Sequence, residues 1–215
     1  EGEVVRKPRL TIPMTNLNMV QQLCSMLDAL LGTEGKATER EDGGMDADGL
    51  EAIFIFALTW SLGAAVTQEP GFNDRSRFDE VVKIIAGMVQ QDGDKVSAGV
   101  LPQSPLYEYR YDIENRAWMP WKSYVTGYTP PQDGRFAKIL VPTVDTVRTT
   151  WLLDTVVQSG RPILLVGQSG TAKSVSVQNY LDSLNTADWT TLGLAFSSRT
   201  TSGAVQAALE DATEN

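Results

Sequence analysis

The sequence predicts an α/β fold preceded by an N-terminal all-α unit, and three observations carry that prediction. Apolar side chains recur at three- and four-residue spacings up to Val89, the period of packed helices. Beyond Pro102 the period switches to two, in a stretch rich in tyrosine and tryptophan. From Phe136 onward, short apolar runs alternate with helical stripes, as in a parallel sheet covered by helices. On these changes the chain divides into a helical unit over 1–100, a β-hairpin connector over 101–135 and half of an α/β domain over 136–215.

Along the chain, Leu17, Val20, Leu23, Cys24, Leu27, Leu30 and Leu31 form the stripe of a helix over residues 17–31, ending before Gly32, with Cys24 as a buried thiol. Residues 33–49 are charged and glycine-rich and read as a loop. Asp42, Asp46 and Asp48 invite a calcium reading, but placing Gly49 at the loop glycine puts Gly44 and Ile55 where a calcium loop needs carboxylates. Residues 50–66 are apolar but shorter than the roughly 20 residues of a membrane span, so they are expected as a core helix. Phe78, Val81, Val82, Ile85, Met88 and Val89 mark a third helix, ending near Asp92-Gly93. Residues 106–113 and 117–121 form two strands turning at Glu114-Asn115-Arg116, a packed hairpin rather than a nucleic-acid stacking surface. After a loop punctuated by Pro130-Pro131 and Asp133-Gly134, Ile139 to Pro142 is extended. Thr143, Asp145 or Thr146 then caps a helix through Val156 that Gly160 ends. Adjacent parallel strands are expected at 162–166 and 191–197, with a final helix capped by Thr201 or Ser202.

Between the two expected strands lies the motif that points to chemistry. Gly167-Gln168-Ser169-Gly170-Thr171-Ala172-Lys173-Ser174 has the layout of a phosphate-binding P-loop, with Ala172 where the second glycine belongs. The apolar run before it and the stripe of Val175, Val177, Tyr180, Leu181 and Leu184 after it supply the strand–loop–helix context. Backbone N–H groups of such a loop and the adjoining helix N-terminus cradle phosphates. Lys173 would reach the β- and γ-phosphates, and the Ser174 hydroxyl would ligand Mg²⁺. Alanine at 172 is tolerated if the backbone keeps φ negative there.

Composition narrows the alternatives. The 215 residues carry a net charge of -9 with no basic stripe, which argues against a nucleic-acid partner. The absence of histidine removes Ser-His-Asp triads, Cys-His dyads and histidine metal sites. One cysteine permits no intrachain disulfide. Residues 1–7 lack the apolar core of a secretory signal. No membrane association is expected. Phosphoryl-transfer ATPases also need an apolar strand ending in Asp or Asp-Glu to hold Mg²⁺ and orient water. No such strand comes after Ser174, so the pattern is expected to continue in a longer polypeptide.

Several stretches resemble the dynein heavy chains. They are Asn18 to Asp28, Phe54 to Gly63, Trp118-Met119-Pro120-Trp121, Val141 to Arg148, Gly167 to Ser174, and Phe196 to Ser202. The resemblance implies the helical lid of the second AAA+ module, a hairpin extension, and the P-loop half of the third AAA+ module. Alanine in the Gly-Thr-Ala-Lys loop is similar to the axonemal branch. The resemblance further implies ATP or ADP with Mg²⁺, held by Gly167, Gln168, Ser169, Gly170, Thr171, Ala172, Lys173, Ser174 and Val175. Leu140, Val141, Pro142 and Thr143 would lie against the adenine, and Ser174 would be the metal ligand. It also implies a regulatory module of a microtubule motor in the cytoplasm and cytoskeleton, at the cilium or flagellum axoneme. The partners would be the rest of the ring, intermediate and light chains, and microtubules reached through other regions. No residue here is expected to be catalytic, and this piece alone is expected to be inactive. A fragment of another AAA+ remodelling ATPase, or a structural P-loop module that does not hydrolyse, stays open as an alternative.

Overall fold

A computed structural model describes residues 7–32, 45–68, 71, 73–128 and 141–213. The expectations for residues 129–140, for most of the 33–49 loop and for Asp42 lie outside the described residues.

Among the described residues, three helices open the chain. Helix α1 (Asn16–Gly32) starts at Thr15, whose hydroxyl accepts from the Asn18 N–H at 3.2 Å while the Asn18 side chain accepts from the Thr15 N–H at 3.2 Å. That reciprocal cap satisfies two otherwise orphaned donors. Helix α2 (Ala47–Ala65) is capped by Asp46, which accepts from the Gly49 N–H at 2.9 Å. A carboxylate at a helix N-terminus is explained by capping alone. α2 is long and apolar enough to cross a membrane, yet Ala52, Ile53, Ile55, Phe56, Ala57 and Trp60 are buried inside the fold. An apolar helix of this kind, with little one-sidedness, belongs in a core.

Helix α3 (Asp74–Ala86) departs from the expected stripe. It stops earlier, at a left-handed Gly87 C-cap. Val81, Ile84 and Ile85 are exposed, and the inward face carries Val82 together with Asp79 and Lys83. These two form an ion pair at 2.6 Å with side chains 8% and 5% exposed. Lys83 also donates to the carbonyls of Gln103 and Ser104 at 3.1 and 3.0 Å, and Asp79 accepts from the Leu106 N–H at 2.7 Å. Burial is tolerable because both charges are paired and further hydrogen-bonded.

The all-helical reading of the first hundred residues gives way at Gln90. Strand β1 (Gln90–Gln91) pairs in parallel with β3 (Leu101–Pro102). Strand β2 (Val96–Ser97) joins the hairpin of β4 (Tyr109–Asp112) and β5 (Ala117–Pro120), giving a sheet of order β2–β5–β4. Two-residue strands leave almost no periodic signal, which is why sequence periodicity overlooks them. Residues 106–108 form a 3-10 turn rather than strand. The hairpin register sets Tyr111 opposite Trp118 and Asp112 opposite Ala117, around a turn in which Asp112 accepts from the Asn115 N–H at 2.9 Å.

One core joins these parts. Phe56, Trp60, Tyr107, Tyr111, Trp118 and Trp121 meet in edge-on or tilted pairs, with Phe78 at the margin and ring centroids 5.3–6.4 Å apart. Pairs of this geometry add about 0.5–1.5 kcal/mol each to the burial of the rings. Gly63 is required here. A Cβ at that position would lie 2.6 Å from the Tyr107 hydroxyl and 2.7 Å from the Phe78 ring, and that hydroxyl donates to the Gly63 carbonyl at 2.9 Å. Cys24 is exposed, correcting the buried-thiol expectation. It shares the outer face of α1 with Leu17 and Val20, whereas Met26, Ala29 and Leu30 face inward. The apolar residues of α1 wrap more of the helix than its packing covers.

The C-terminal part contains α4 (Val144–Gln158), α5 (Lys173–Ser183) and α6 (Ser202–Thr213). The expected parallel strands at 162–166 and 191–197 do not form a ladder among the described residues. Ile163, Leu165 and Leu192 line an apolar hollow of about 410 Å³ against Leu153 and Val157 of α4 and Tyr180 of α5. Leu164 and Phe196 are each 71% exposed. A buried parallel strand needs neighbours on its edges and cover on both faces. Here α4 and α5 cover the hollow side, while Leu164 and Phe196 stay exposed.

Candidate functional site

The glycine-containing loop runs into the first turn of α5, as its sequence implies. Gly170 has φ +80°, and Ala172 has φ +57° and ψ 12° as the N-cap of α5. The condition under which alanine at 172 is tolerated, a negative φ, is therefore not met. A non-glycine residue in this left-handed region costs about 1–2 kcal/mol, because its Cβ crowds the next carbonyl. Ala172 gives α5 no side-chain cap, and none is seen among the described residues. The first turn is therefore not closed by the Ser, Thr, Asp or Asn oxygen that usually blocks a helix N-terminus.

The loop's side chains converge on one carbonyl. Thr171 Oγ1 donates to the Gln168 carbonyl at 2.8 Å. The Lys173 ammonium donates to that carbonyl and, at 2.9 Å, to Thr171 Oγ1. Lys173 thus folds back over the start of the loop. Its Cδ and Nζ lie 3.7 and 3.8 Å from where a Cβ on Gly167 would sit, and Thr171 Oγ1 lies 3.4 Å from the same point. A Cβ at 167 would sit in van der Waals contact with the lysine and Thr171, so these side chains lie directly against Gly167. Ser169 and Ser174 are exposed, Val175 lies on the outer first turn at 36%, and Ser176 is buried behind them.

Of the residues assigned to the adenine side, Leu140 lies outside the described residues. Val141 is 49% exposed and Pro142 half-buried. Thr143 is the N-cap of α4: its hydroxyl accepts from the Thr146 N–H at 3.2 Å, and the Thr146 hydroxyl accepts from the Thr143 N–H at 2.8 Å. Of the three capping candidates Thr143, Asp145 and Thr146, the cap is Thr143. The two candidate segments sit at the starts of helices that are tied together, since Tyr180 of α5 donates to Asp154 of α4 at 3.2 Å. The apolar hollow beside α4 is separate from the phosphate loop, none of whose residues 167–174 line it.

Periodicity did not reveal how α4 seats on the rest of the protein. Trp151 packs edge-on against Phe56 and Trp121, with centroids 5.6 Å away in each case. The Arg110 guanidinium lies between the Tyr124 and Trp151 rings, 4.9 and 4.6 Å from their centroids. Arg148 lies 5.4 Å above Trp60, donates to the Tyr107 carbonyl at 3.1 Å, and pairs with Asp145. The spacing of Arg148 and Trp151, three apart on one helical face, was the available signal. Burial raises the Tyr107 hydroxyl above its ordinary range and pushes Tyr111 up to about 12, with nearby Asp46 adding to the latter.

The loop offers one hydroxyl, that of Ser174, in the position a P-loop gives to a metal ligand. Among the described residues, no three of His, Cys, Asp and Glu are grouped to hold an ion. Magnesium keeps several waters and takes much of its coordination from substrate phosphates, so a hydroxyl from the loop can be one of its ligands. The residues present therefore fit a phosphate-bearing ligand with its magnesium, on the glycine positions, the uncapped helix start, the lysine and the Ser174 hydroxyl.

Comparison with known proteins bears on the same two regions. Residues 3–123 match the model of the dynein heavy chain AAA lid domain, and residues 128–215 match that of the P-loop containing dynein motor region. The chain is 52% identical to the dynein-1-alpha heavy chain of the flagellar inner arm I1 complex of Chlamydomonas reinhardtii, over 99% of this chain and 4% of the relative. It is 40% identical to human dynein axonemal heavy chain 10 over 98% of this chain, and 31% identical to human dynein axonemal heavy chain 2 over 94%. In each case it covers 4% of the relative, so the chain spans a small part of the proteins it matches. A lid leading directly into a P-loop motor region, on relatives of one kind, is enough to assign descent: the chain belongs to the dynein heavy chain family.

Proposed function

We propose that this chain is a nucleotide-binding regulatory segment of an ATP-driven microtubule motor, acting in the axoneme of a cilium or flagellum. In this reading residues 1–100 are the lid of the second AAA+ module, 101–135 the connector, and 136–215 the first half of the third module. ATP or ADP is held by Gly167 to Val175, with Leu140 to Thr143 on the adenine side. Lys173 neutralises phosphate charge, and Ser174 offers its hydroxyl to Mg²⁺. Bound magnesium supplies charge neutralisation at the phosphates. The rest of the heavy chain completes the ring, with intermediate and light chains and microtubules as partners of the whole.

One observation carries this reading most strongly. The lysine side chain folds back over the glycine loop, across the point where Gly167 lacks a side chain, at the uncapped start of α5. Regulation, as opposed to mere binding, requires a two-state element that the bound nucleotide biases. α4 is suited to that, because one end begins at Thr143 and its Trp151 face is locked into the aromatic core. The test is microtubule gliding speed and detachment rate of the intact motor with Lys173→Ala. Slower release, with ATP hydrolysis retained elsewhere in the ring, is expected. Unchanged motility with nucleotide lost at this loop would show that the pocket is structural.

A further inference from the structure

We infer that Thr171 is a positioning residue for Lys173, an internal competitor that lowers the loop's affinity for phosphate-bearing ligands. The inference rests on the nucleotide-binding reading of this loop and deepens it. Lys173 has three ammonium protons, and the loop's own groups engage two of them: the Gln168 carbonyl and, at 2.9 Å, Thr171 Oγ1. Thr171 is itself oriented for this, since its O–H donates to the Gln168 carbonyl at 2.8 Å and leaves an oxygen lone pair for the ammonium. The three groups form a closed triangle at the point nearest Gly167. A phosphate oxygen seeking the same ammonium must draw it from this triangle. The observed affinity is then the intrinsic affinity reduced by the fraction of loops with the lysine released. A hydroxyl at 171 is thereby given a job that neither the glycine positions nor the Lys-Ser pair requires.

The experiment uses the intact heavy chain carrying Thr171→Val, Thr171→Ser, Lys173→Ala, or Thr171→Val with Lys173→Ala. Equilibrium binding of ADP with Mg²⁺ is measured, taking the binding lost in Lys173→Ala as that of this loop. Valine keeps the β-branched shape and removes the hydroxyl. Exposed charged contacts of this kind are weak, so Thr171→Val is expected to tighten ADP by about two- to fivefold. The gain stays small because the Gln168 carbonyl still holds the lysine. Thr171→Ser, which keeps the hydroxyl, is expected not to show the tightening seen with valine. Adding Thr171→Val to Lys173→Ala is expected to change nothing further, as the two residues act through one contact. Unchanged or weaker binding by Thr171→Val, or an equal effect with and without Lys173, overturns the inference while leaving the nucleotide site standing. No loss of bound ADP in Lys173→Ala overturns the nucleotide reading and this inference together.

Discussion

Removing Asp79 should undo the lid more than its position on a short helix suggests. In the wild type its carboxylate pairs with Lys83 at 2.6 Å and accepts from the Leu106 N–H at 2.7 Å, with both side chains under a tenth exposed. Asp79→Ala leaves a buried ammonium with two carbonyls and no counter-charge, and a buried amide with no acceptor. Breaking a buried pair from one side costs about 3–5 kcal/mol. The lost amide bond, worth about 1–3 kcal/mol when its partner stays buried, belongs largely to the same event and is not added in full. Asp79→Asn keeps an acceptor for Leu106 and removes only the charge, so a smaller loss is expected. Hydrogen exchange of the 101–108 amides in the intact protein is the direct assay, with the Leu106 amide as the reporter. Protection there should fall by a factor of about a hundred or more for Asp79→Ala, in line with the lower bound of that range. An unchanged Leu106 exchange rate would refute the view that this ion pair pins the 103–106 loop to α3.

Local geometry leads to two further outcomes. Ala172→Gly relieves about 1–2 kcal/mol of left-handed strain, against about 0.4–1 kcal/mol of added unfolded-state freedom, so the first turn of α5 should become slightly more stable by hydrogen exchange. A loss of stability would mean that residue 172 does not hold φ +57°. The second outcome concerns alkali. Tyr111 is shifted from 10.0 to about 12 by burial, so the neutral phenol is the form the fold favours. The contribution of this buried phenol to stability is therefore fully present below pH 10 and is lost as pH rises from 10 towards 12. Tyrosinate absorbance should show part of the tyrosine titration delayed until the helical signal falls, whereas one titration near pH 10 in a folded protein would contradict it.

The division between legible and hidden features has physical causes. α1, α2, α4, α5 and α6 were legible because long amphipathic or apolar stretches repeat their signal over several turns. The hairpin was legible because Tyr109 and Tyr111 alternate with Arg110 and Asp112 across a polar turn. α3 misled because its buried face is partly ionic: Asp79 and Lys83 point inward while Ile84 and Ile85 are 78% and 79% exposed. The runs at 162–166 and 191–197 read as strands on apolarity, but pairing is a property of neighbours and cannot be read from one run. Within the site, the loop and its lysine were found by motif. The left-handed Ala172 and the Thr171 contact were not, because both depend on backbone angles that a residue string does not encode.

The central claim, that the loop from Gly167 to Ser174 holds a nucleotide, is tested most directly by the nucleotide content and ADP affinity of the intact heavy chain with and without Lys173→Ala. A charge-assisted contact to phosphate is worth about 1.5–3 kcal/mol, so the affinity of one site per heavy chain should fall about ten- to hundredfold. Ser174→Ala should weaken the same site in a way that added magnesium partly restores. Full nucleotide content and unchanged affinity in Lys173→Ala would contradict the account.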